Sequence, residues 1–453
     1  MAKPSRGKLA IVTGGGPAPG INGVISSVTI EAINQDLEVI GFQDGFKHLV
    51  LGDASAARPL TIPDVAPYYH RGGSILGTSR TNPARPPANL DRVITTLQGL
   101  GVEYLVTVGG DDTAFGGSQV YKKCGGAIKV AHVPKTIDND LPLPPGVPTF
   151  GYETARHFGA QVASNIREDA KTTTRWYLIV CMGRAAGHLA LGVGKASAAT
   201  VTIIAEEFRG RPVTLDHICD ILISSMIVRK AQGKGYGLAV LSEGLLESIG
   251  EKGLLVAVET ILDADEKAEL DALETEEKKA AALAKHLKRY GTIERDDHGH
   301  LQLGGIEFGR MVRALLSKRL AELGLKVTVV DKDLGYELRC ADPIPFDIEY
   351  TRNLGYAAVK FLLSDEAKKY GAIVSIVEGR LMPLPFENMI DPETERMRPR
   401  LVDVGSENYE CTRRYMIRLE ATDIADADKL KRLADVVKMT PEQFLERFEY
   451  LVR

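Results

Sequence analysis

Along most of the chain, short apolar runs alternate with stretches of helical period. The runs predict buried strands at Leu9–Thr13, Glu103–Val108, Ile128–Val133, Trp176–Met182, Val201–Ala205, Leu238–Ser242, Lys326–Val330 and Ala372–Val377. Between them, Asn89–Leu100 opens on an Asn cap and closes at Gly101. Arg310–Leu323 carries apolar residues at helical spacing and closes at Gly324. Strand–helix alternation predicts crossover connections and mostly parallel sheets. So many strands in 453 residues predict two sheets and therefore two α/β lobes. In open α/β sheets ligands bind beyond the carboxyl ends of the strands, so the loops after strands are where chemistry is sought.

Two segments break the alternation. Residues 262–290 are rich in Ala, Glu and Lys, with Leu270, Leu273, Leu283 and Leu287, which predicts one or two charged surface helices, a solvated insertion or a lid. Thr440-Pro-Glu-Gln443 has the pattern of a helix start with a capping box.

Composition narrows the class. Hydrophobic content of 44% and charged content of 26% describe ordinary soluble material. A net charge of −4 provides no global basic field for nucleic acid or anionic membrane, so a polyanionic ligand would need a local basic pocket. Cys124, Cys181, Cys219, Cys340 and Cys411 are scattered, odd in number and without metal-ligand or C-x-x-C spacing, which fits a reduced cytoplasm. Met1–Lys8 lacks an apolar signal region, and no stretch is long and apolar enough to span a bilayer.

Four strand ends carry motifs. Gly14-Gly-Gly-Pro-Ala-Pro-Gly-Ile-Asn22 precedes a helical pattern, and its glycines admit close approach of an anion to backbone and helix N-terminus. Pro19 excludes the dinucleotide fingerprint, and no Gly-Lys-Ser/Thr follows to make a P-loop. Gly109-Gly-Asp-Asp-Thr113 places two carboxylates after a buried strand. Beside an anion site a carboxylate is repelled unless a cation bridges it, so Asp111 reads as a Mg²⁺ anchor. Pro134-Lys-Thr-Ile-Asp-Asn-Asp140 puts a cation, a hydroxyl and carboxylates together, a combination suited to proton abstraction beside a phosphate. Met182-Gly-Arg-Ala-Ala-Gly-His188 adds a close-approach glycine and an arginine for phosphate oxygens. Each loop alone has a structural reading as a turn. Four of them in order after successive strands do not.

This set, with Gly-Gly-Ser-x-Leu-Gly-x-Ser-Arg at 72–80, resembles the phosphofructokinase family over residues 8 to about 245. Leu241-Ser-Glu-Gly244 and Tyr336-Glu-Leu-Arg339 resemble its remaining sugar-phosphate contacts. The resemblance implies two Rossmann-like parallel-sheet lobes with the active site in the cleft between them, plus a helical insertion at about 250–305. On that pattern 1–150 is the lobe for the phosphoryl donor and metal, 151–340 the sugar-phosphate lobe, and 341–453 packs back on both. Residue by residue, Gly15 resembles the backbone donor to the phosphoryl donor, and Arg80 the arginine on the phosphoryl group in flight. Asp111 and Asp140 match the metal-associated aspartates. Asp138 matches the proton acceptor, with Thr136 and Ile137 beside it at the substrate. Met182, Gly183, Arg184, Glu243, Tyr336 and Arg339 match the sugar-phosphate contacts.

Departures from the ATP-using members set the donor. Asp112 and Lys135 stand where those members carry glycines, and this pair resembles the pyrophosphate-using members. Electrostatics agrees. The Asp112 carboxylate would project toward an ATP α-phosphate, and like charges at ~4 Å with an effective dielectric of ~20 cost about 4 kcal/mol, a thousandfold in affinity. Lys135 adds a cation for pyrophosphate, which lacks the nucleoside. Pro17 also replaces an aspartate of the ATP users. The implied reaction is reversible transfer to the 1-hydroxyl of fructose 6-phosphate with Mg²⁺, in glycolysis and gluconeogenesis. An ATP-dependent member and a catalytically silent regulatory subunit are the alternatives. Asp111, Asp138 and Arg184 speak against the silent subunit.

Arg175 adds an expectation about assembly. Its spacing from Met182-Gly-Arg184 resembles a family arginine that contacts sugar phosphate, yet it lies at the other end of the same strand. At about 3.3 Å per residue the two arginines are roughly 20 Å apart and cannot serve one phosphate within one chain. A homodimer or homotetramer that shares Arg175 across subunits reconciles the two.

Overall fold

The computed structural model describes residues 6–292, 303–391, 393–394 and 397–452. Among them run eleven strands: β1 (Lys8–Thr13), β2 (Glu38–Phe42), β3 (Ala57–Pro59), β4 (Val102–Gly109), β5 (Lys129–Pro134), β6 (Trp176–Cys181), β7 (Val201–Ile203), β8 (Gly237–Ser242), β9 (Val329–Leu334), β10 (Ala372–Val377) and β11 (Arg380–Pro385). The chain forms two compact units, one of Met1–Phe158 with Tyr336–Arg400, the other of Gly159–Gly335 with Leu401–Arg453. The segment after residue 340 thus divides between the units at Arg400.

In the first unit the sheet order is β11-β10-β5-β4-β1-β2-β3. Its centre is parallel: β1 pairs with β2 and β4, β4 with β5, and β5 with β10. Central parallel strands are covered on both faces, so they are almost continuously apolar. β1 and β5 are buried from their second residue onward, and β4 is buried except at Glu103. The edges are antiparallel hairpin partners, β2–β3 and β10–β11. Pro383 and Pro385 are tolerated because β11 is an edge. β1 is followed by β2 on one side and β4 by β5 on the other, so the order in which strands are laid across the sheet reverses between β1 and β4. A crevice opens beyond the carboxyl ends at such a reversal.

In the second unit the order is β7-β8-β6-β9, with every pair parallel. The carboxyl ends of β8, β6 and β9 are neighbours, which brings Glu243, Met182 and Gly335 to adjacent strand ends. The stretch 262–290 folds as helices Ala264–Asp271 and Glu276–Leu287, capped by Asp263 and Thr275. It is not wholly solvated, because Leu270, Leu283 and Leu287 are buried in the core of this unit. The part of the insertion at 293–302 lies outside the described residues. The capping box at Thr440 forms, with the hydroxyl accepting from Gln443 N and the Gln443 side chain accepting from Thr440 N.

Some expected elements shift. The helix expected to open at Asn89 runs from Pro87 to Gly99, and the Asn89 side-chain amide donates to Arg85 O from within its first turn. β9 runs to Leu334 through Asp331, Lys332 and Asp333, polar residues an edge strand can carry. β2 was not legible because it is a five-residue strand with Gly41, where a side chain would come within 2.6 Å of Leu76. No described helix is long and apolar enough to cross a membrane.

Candidate active-site loops

In the first unit the loops after β1, β4 and β5 converge around three glycines with different tasks. A Cβ on Gly14 would lie 2.3 Å from Thr113 Oγ1, and one on Gly109 would lie 2.3 Å from Thr113 Cβ. Thr113 is buried between the two strand ends, so these glycines serve packing. Gly15 has φ 77, a conformation that favours glycine. Its N–H donates to Ser79 O at 2.8 Å, so the amide expected to face the phosphoryl donor is already committed to the 72–80 loop. That contact sets the exposed Arg80 beside the first motif. Asn22 anchors the same loop, donating to Arg71 O and Gly72 O and accepting from Ile75 N.

Gly16 has two cations against it. Its carbonyl accepts from Lys135 Nζ at 2.6 Å, and the Arg339 guanidinium packs over its Cα. Lys135 is 4% exposed. Burial pulls its ammonium down to about 8, Asp138 pulls it back, and Arg339 pushes it further down, so it stays mostly charged at neutral pH. Asp111 and Asp112 occupy the first turn of the helix Asp111–Lys123, exposed, where the helix N-terminus favours negative charge.

The third loop is held from outside. Thr136 Oγ1 accepts from Asp138 N at 3.0 Å. The Ile137 side chain is buried, which leaves only its backbone for the substrate contact expected there. Asn139 stands at φ 57, and its side-chain oxygen accepts from Thr149 N. The Thr149 hydroxyl donates to Thr136 O. Arg400 closes the clamp. Its N–H donates to Asp140 O at 2.7 Å, Nη1 to Val147 O at 2.7 Å, and Nε to Asn139 O at 3.2 Å. Burial, then the charges of Asp138 and Asp111, raise the Asp140 carboxyl well above the usual range.

Beneath the loops His132 joins β5 to β4. Burial pushes its pKa down to about 3, so the ring is neutral. Nε2 faces Gly109 O at 3.0 Å, and a carbonyl only accepts, so Nε2 carries the proton. Nδ1 then accepts from the Thr107 hydroxyl at 2.9 Å. Gly109 O also accepts from Lys135 N at 2.8 Å, which ties the second motif to the third.

In the second unit, Gly183 N donates to Glu243 Oε2 at 3.2 Å and Met182 N to Leu334 O at 3.1 Å. Gly335 has no room for a side chain, since a Cβ would lie 2.2 Å from Met182 Cγ. Burial raises the Glu243 carboxyl and the Arg184 charge lowers it again. Arg184 itself is exposed. Glu206 Oε1 accepts from Gly187 N at 2.8 Å and from Val402 N at 3.0 Å, fixing the far end of this motif. Arg175 is exposed just before β6, at the end of the strand opposite Met182. Tyr336 and Arg339 are grouped with the first unit, and Arg339 reaches Gly16 there.

Arg400, Thr149, His132 and Glu206 were missed by sequence reasoning. Each acts through partners at least 10 residues away along the chain, and none stands in a motif. Among the described residues no group of three or more His, Cys, Asp or Glu side chains forms a metal cage of its own. A Mg²⁺ ion held partly by phosphate oxygens and water needs only one or two carboxylates. The charges of Asp138 and Asp111 bear on the Asp140 carboxyl, a crowding of carboxylates that fits such a cation.

The comparisons agree on one family. The phosphofructokinase profile matches residues 8–362. A pyrophosphate–fructose 6-phosphate 1-phosphotransferase of Thermotoga maritima is 49% identical over 441 residues, 97% of this chain and 98% of its own. A protein of the same name from Naegleria fowleri is 44% identical over 453 residues, 98% of this chain and 96% of its own. The crystal structure of a pyrophosphate-dependent phosphofructokinase from Nitrosospira multiformis has a TM-score of 0.60 at 15% identity, covering 95% of this chain and 91% of that one, which bears on the fold alone.

The Arg400 clamp has a measurable consequence. Hydrogen bonds from a charged donor contribute about 1.5–3 kcal/mol each. Arg400→Ala should lower the melting temperature and speed amide exchange at 137–141, while β5 stays protected. Unchanged exchange in that loop would remove Arg400 from this role.

Proposed function

The chain belongs to the phosphofructokinase family, and on that premise we infer that it transfers a phosphoryl group reversibly from pyrophosphate to the 1-hydroxyl of fructose 6-phosphate. The products are fructose 1,6-bisphosphate and phosphate. The observation that carries the donor assignment is Lys135, a buried ammonium bonded to Gly16 O in the loop after β1. Asp112, in the first turn of the helix after β4, supplies the carboxylate that disfavours an α-phosphate.

The remaining roles follow from residue chemistry. Asp138 accepts the proton of the sugar 1-hydroxyl at its carboxylate, and the Thr136 bond to its backbone N–H supports that placement. Arg80 offers its guanidinium to the phosphoryl group in transit. Asp111 and Asp140 would hold Mg²⁺, which would neutralise charge on the phosphate oxygens. Arg184 takes the sugar phosphate through its planar fork, and Gly183 admits close approach. The Glu243 carboxylate suits sugar hydroxyls, with Met182 beside it. Arg175 is assigned to the sugar phosphate of a neighbouring subunit in a homodimer or homotetramer. Its exposure at the end of β6 away from Met182 supports that assignment.

Three measurements test this reading. With Mg²⁺, the protein should turn over pyrophosphate and scarcely use ATP, and Asp112→Gly with Lys135→Gly should raise relative ATP use. Equal rates with both donors in the wild type would defeat the electrostatic argument. Asp138→Asn keeps shape and removes basicity, so kcat should fall by at least about a hundredfold, with KM changing much less. A variant nearly as fast as wild type would take the proton-acceptor role from Asp138. For assembly, co-expressed Arg175→Ala and Asp138→Ala subunits should regain part of the activity that each lacks alone. Hybrid oligomers that form and stay inactive, or an active monomer in sedimentation, would rule out the shared site.

A further inference from the structure

Arg175 is assigned above to the sugar phosphate of a neighbouring subunit, and its own surroundings bear on how it is held for that task. The helix Tyr152–Thr173 ends two residues before it. Thr174 then stands at φ 53, a left-handed conformation that a β-branched residue adopts only at a cost. Past that reversal the backbone of Arg175 is fixed on both sides. Its N–H donates to Ala170 O at 3.0 Å, and its carbonyl accepts from Gly237 N at 3.2 Å. Where the guanidinium goes is therefore decided along an exposed side chain with many rotamers to lose.

Tyr177 is the side chain placed to decide it. Successive strand residues face opposite ways, so Arg175 and Tyr177 share a face while Trp176 between them enters the core, 1% exposed. The Tyr177 hydroxyl donates to an Asp169 carboxylate oxygen, and the same phenol oxygen accepts from the Arg175 side chain. The bond to Asp169, then burial, push the phenol's pKa up, and the Arg175 guanidinium draws it back, so Tyr177 keeps its proton at neutral pH. The order of the three groups matters. A carboxylate bonded directly to the guanidinium would offset the charge that a phosphate needs and would occupy an edge of the fork. A phenol set between them holds the arginine without adding a negative charge to it. Its own bond to a carboxylate makes its oxygen the stronger acceptor. The rest of the fork is left to a phosphate.

We propose that Tyr177, oriented by Asp169, is a positioning residue that aims Arg175 at the sugar phosphate of a neighbouring subunit. Asp169, Arg175 and Tyr177 all belong to the second unit. The device therefore travels with the subunit that lends the arginine, and the site that gains from it lies in the other. Neither Tyr177 nor Asp169 stands in a motif, and both act only through Arg175. The inference rests on the assignment of Arg175 under the proposed function and adds to it the groups that hold the guanidinium in place.

The test reads binding and turnover apart. Fructose 6-phosphate is titrated by calorimetry into wild type, Tyr177→Phe, Asp169→Ala, Arg175→Ala and the double variant of Arg175→Ala with Tyr177→Phe. Methylenediphosphonate, a pyrophosphate analogue that cannot transfer, is titrated separately with Mg²⁺. Tyr177→Phe keeps the ring and removes the hydroxyl. It should weaken fructose 6-phosphate about three- to tenfold, the scale of one hydrogen bond, and leave the diphosphonate within about twofold. Its kcat should stay within about threefold of wild type, the split expected when binding rather than chemistry is lost. Asp169→Ala, at an exposed position, serves if the Phe variant does not fold and should weaken the sugar phosphate by a smaller factor. In the Arg175→Ala background the loss of the hydroxyl should have no further effect. Fructose 6-phosphate binding unchanged by Tyr177→Phe, an equal loss for both ligands, or the same loss in the absence of Arg175 would overturn the proposal. If Arg175→Ala alone bound fructose 6-phosphate as wild type does, Arg175 would lose its place at the sugar phosphate and the aiming role would go with it, an outcome read from a different variant.

Discussion

A buried ammonium organises the first unit. Removing a charge from water costs several kcal/mol unless close partners replace the solvent. Lys135 has the Gly16 carbonyl as a bonded partner and Asp138, Asp140 and Asp111 as opposing charges. Those partners come from the ends of three different strands. The ammonium therefore stays charged only while β1, β4 and β5 deliver their loops to one place. Its backbone takes part as well, since Lys135 N donates to the Gly109 carbonyl that His132 also holds. One residue thus links the register of the sheet to the charge balance of its loops.

How much of this was legible follows from the range of each interaction. β1, β4, β5, β6, β8 and β10 could be read because strands covered on both faces are apolar throughout, a signal carried within each strand. The glycine and aspartate motifs are equally local. β3 is three residues long and β11 carries two prolines, so neither has a period to detect. Arg400 was invisible for a different reason. Its partners Asn139, Asp140 and Val147 are more than two hundred residues away, and its own neighbourhood has no pattern.

The motifs also told less about direction than about place. Gly15 stands where a close approach to an anion was expected, but its N–H is turned to Ser79. Ile137 lies within the most informative motif and is buried. Arg339 was tied by its four-residue pattern to a sugar phosphate, and no pattern in the chain announced that its guanidinium rests against Gly16 of the first motif. A motif constrains which residues occupy a loop. Which way each backbone group and side chain faces is decided by contacts with other loops.

The nesting of Thr113 against Gly14 and Gly109 has a consequence for how such a protein can change over generations. The spacing between two strand ends is set by the volume of one small side chain. A larger residue at either glycine collides with Thr113, so no single enlarging step is open at Gly14 or Gly109. Drift must proceed through a smaller residue at 113, which leaves a void before either glycine can be replaced. The two loops that meet there are therefore inherited as one piece, and variation in what the protein accepts is channelled to residues outside the trio.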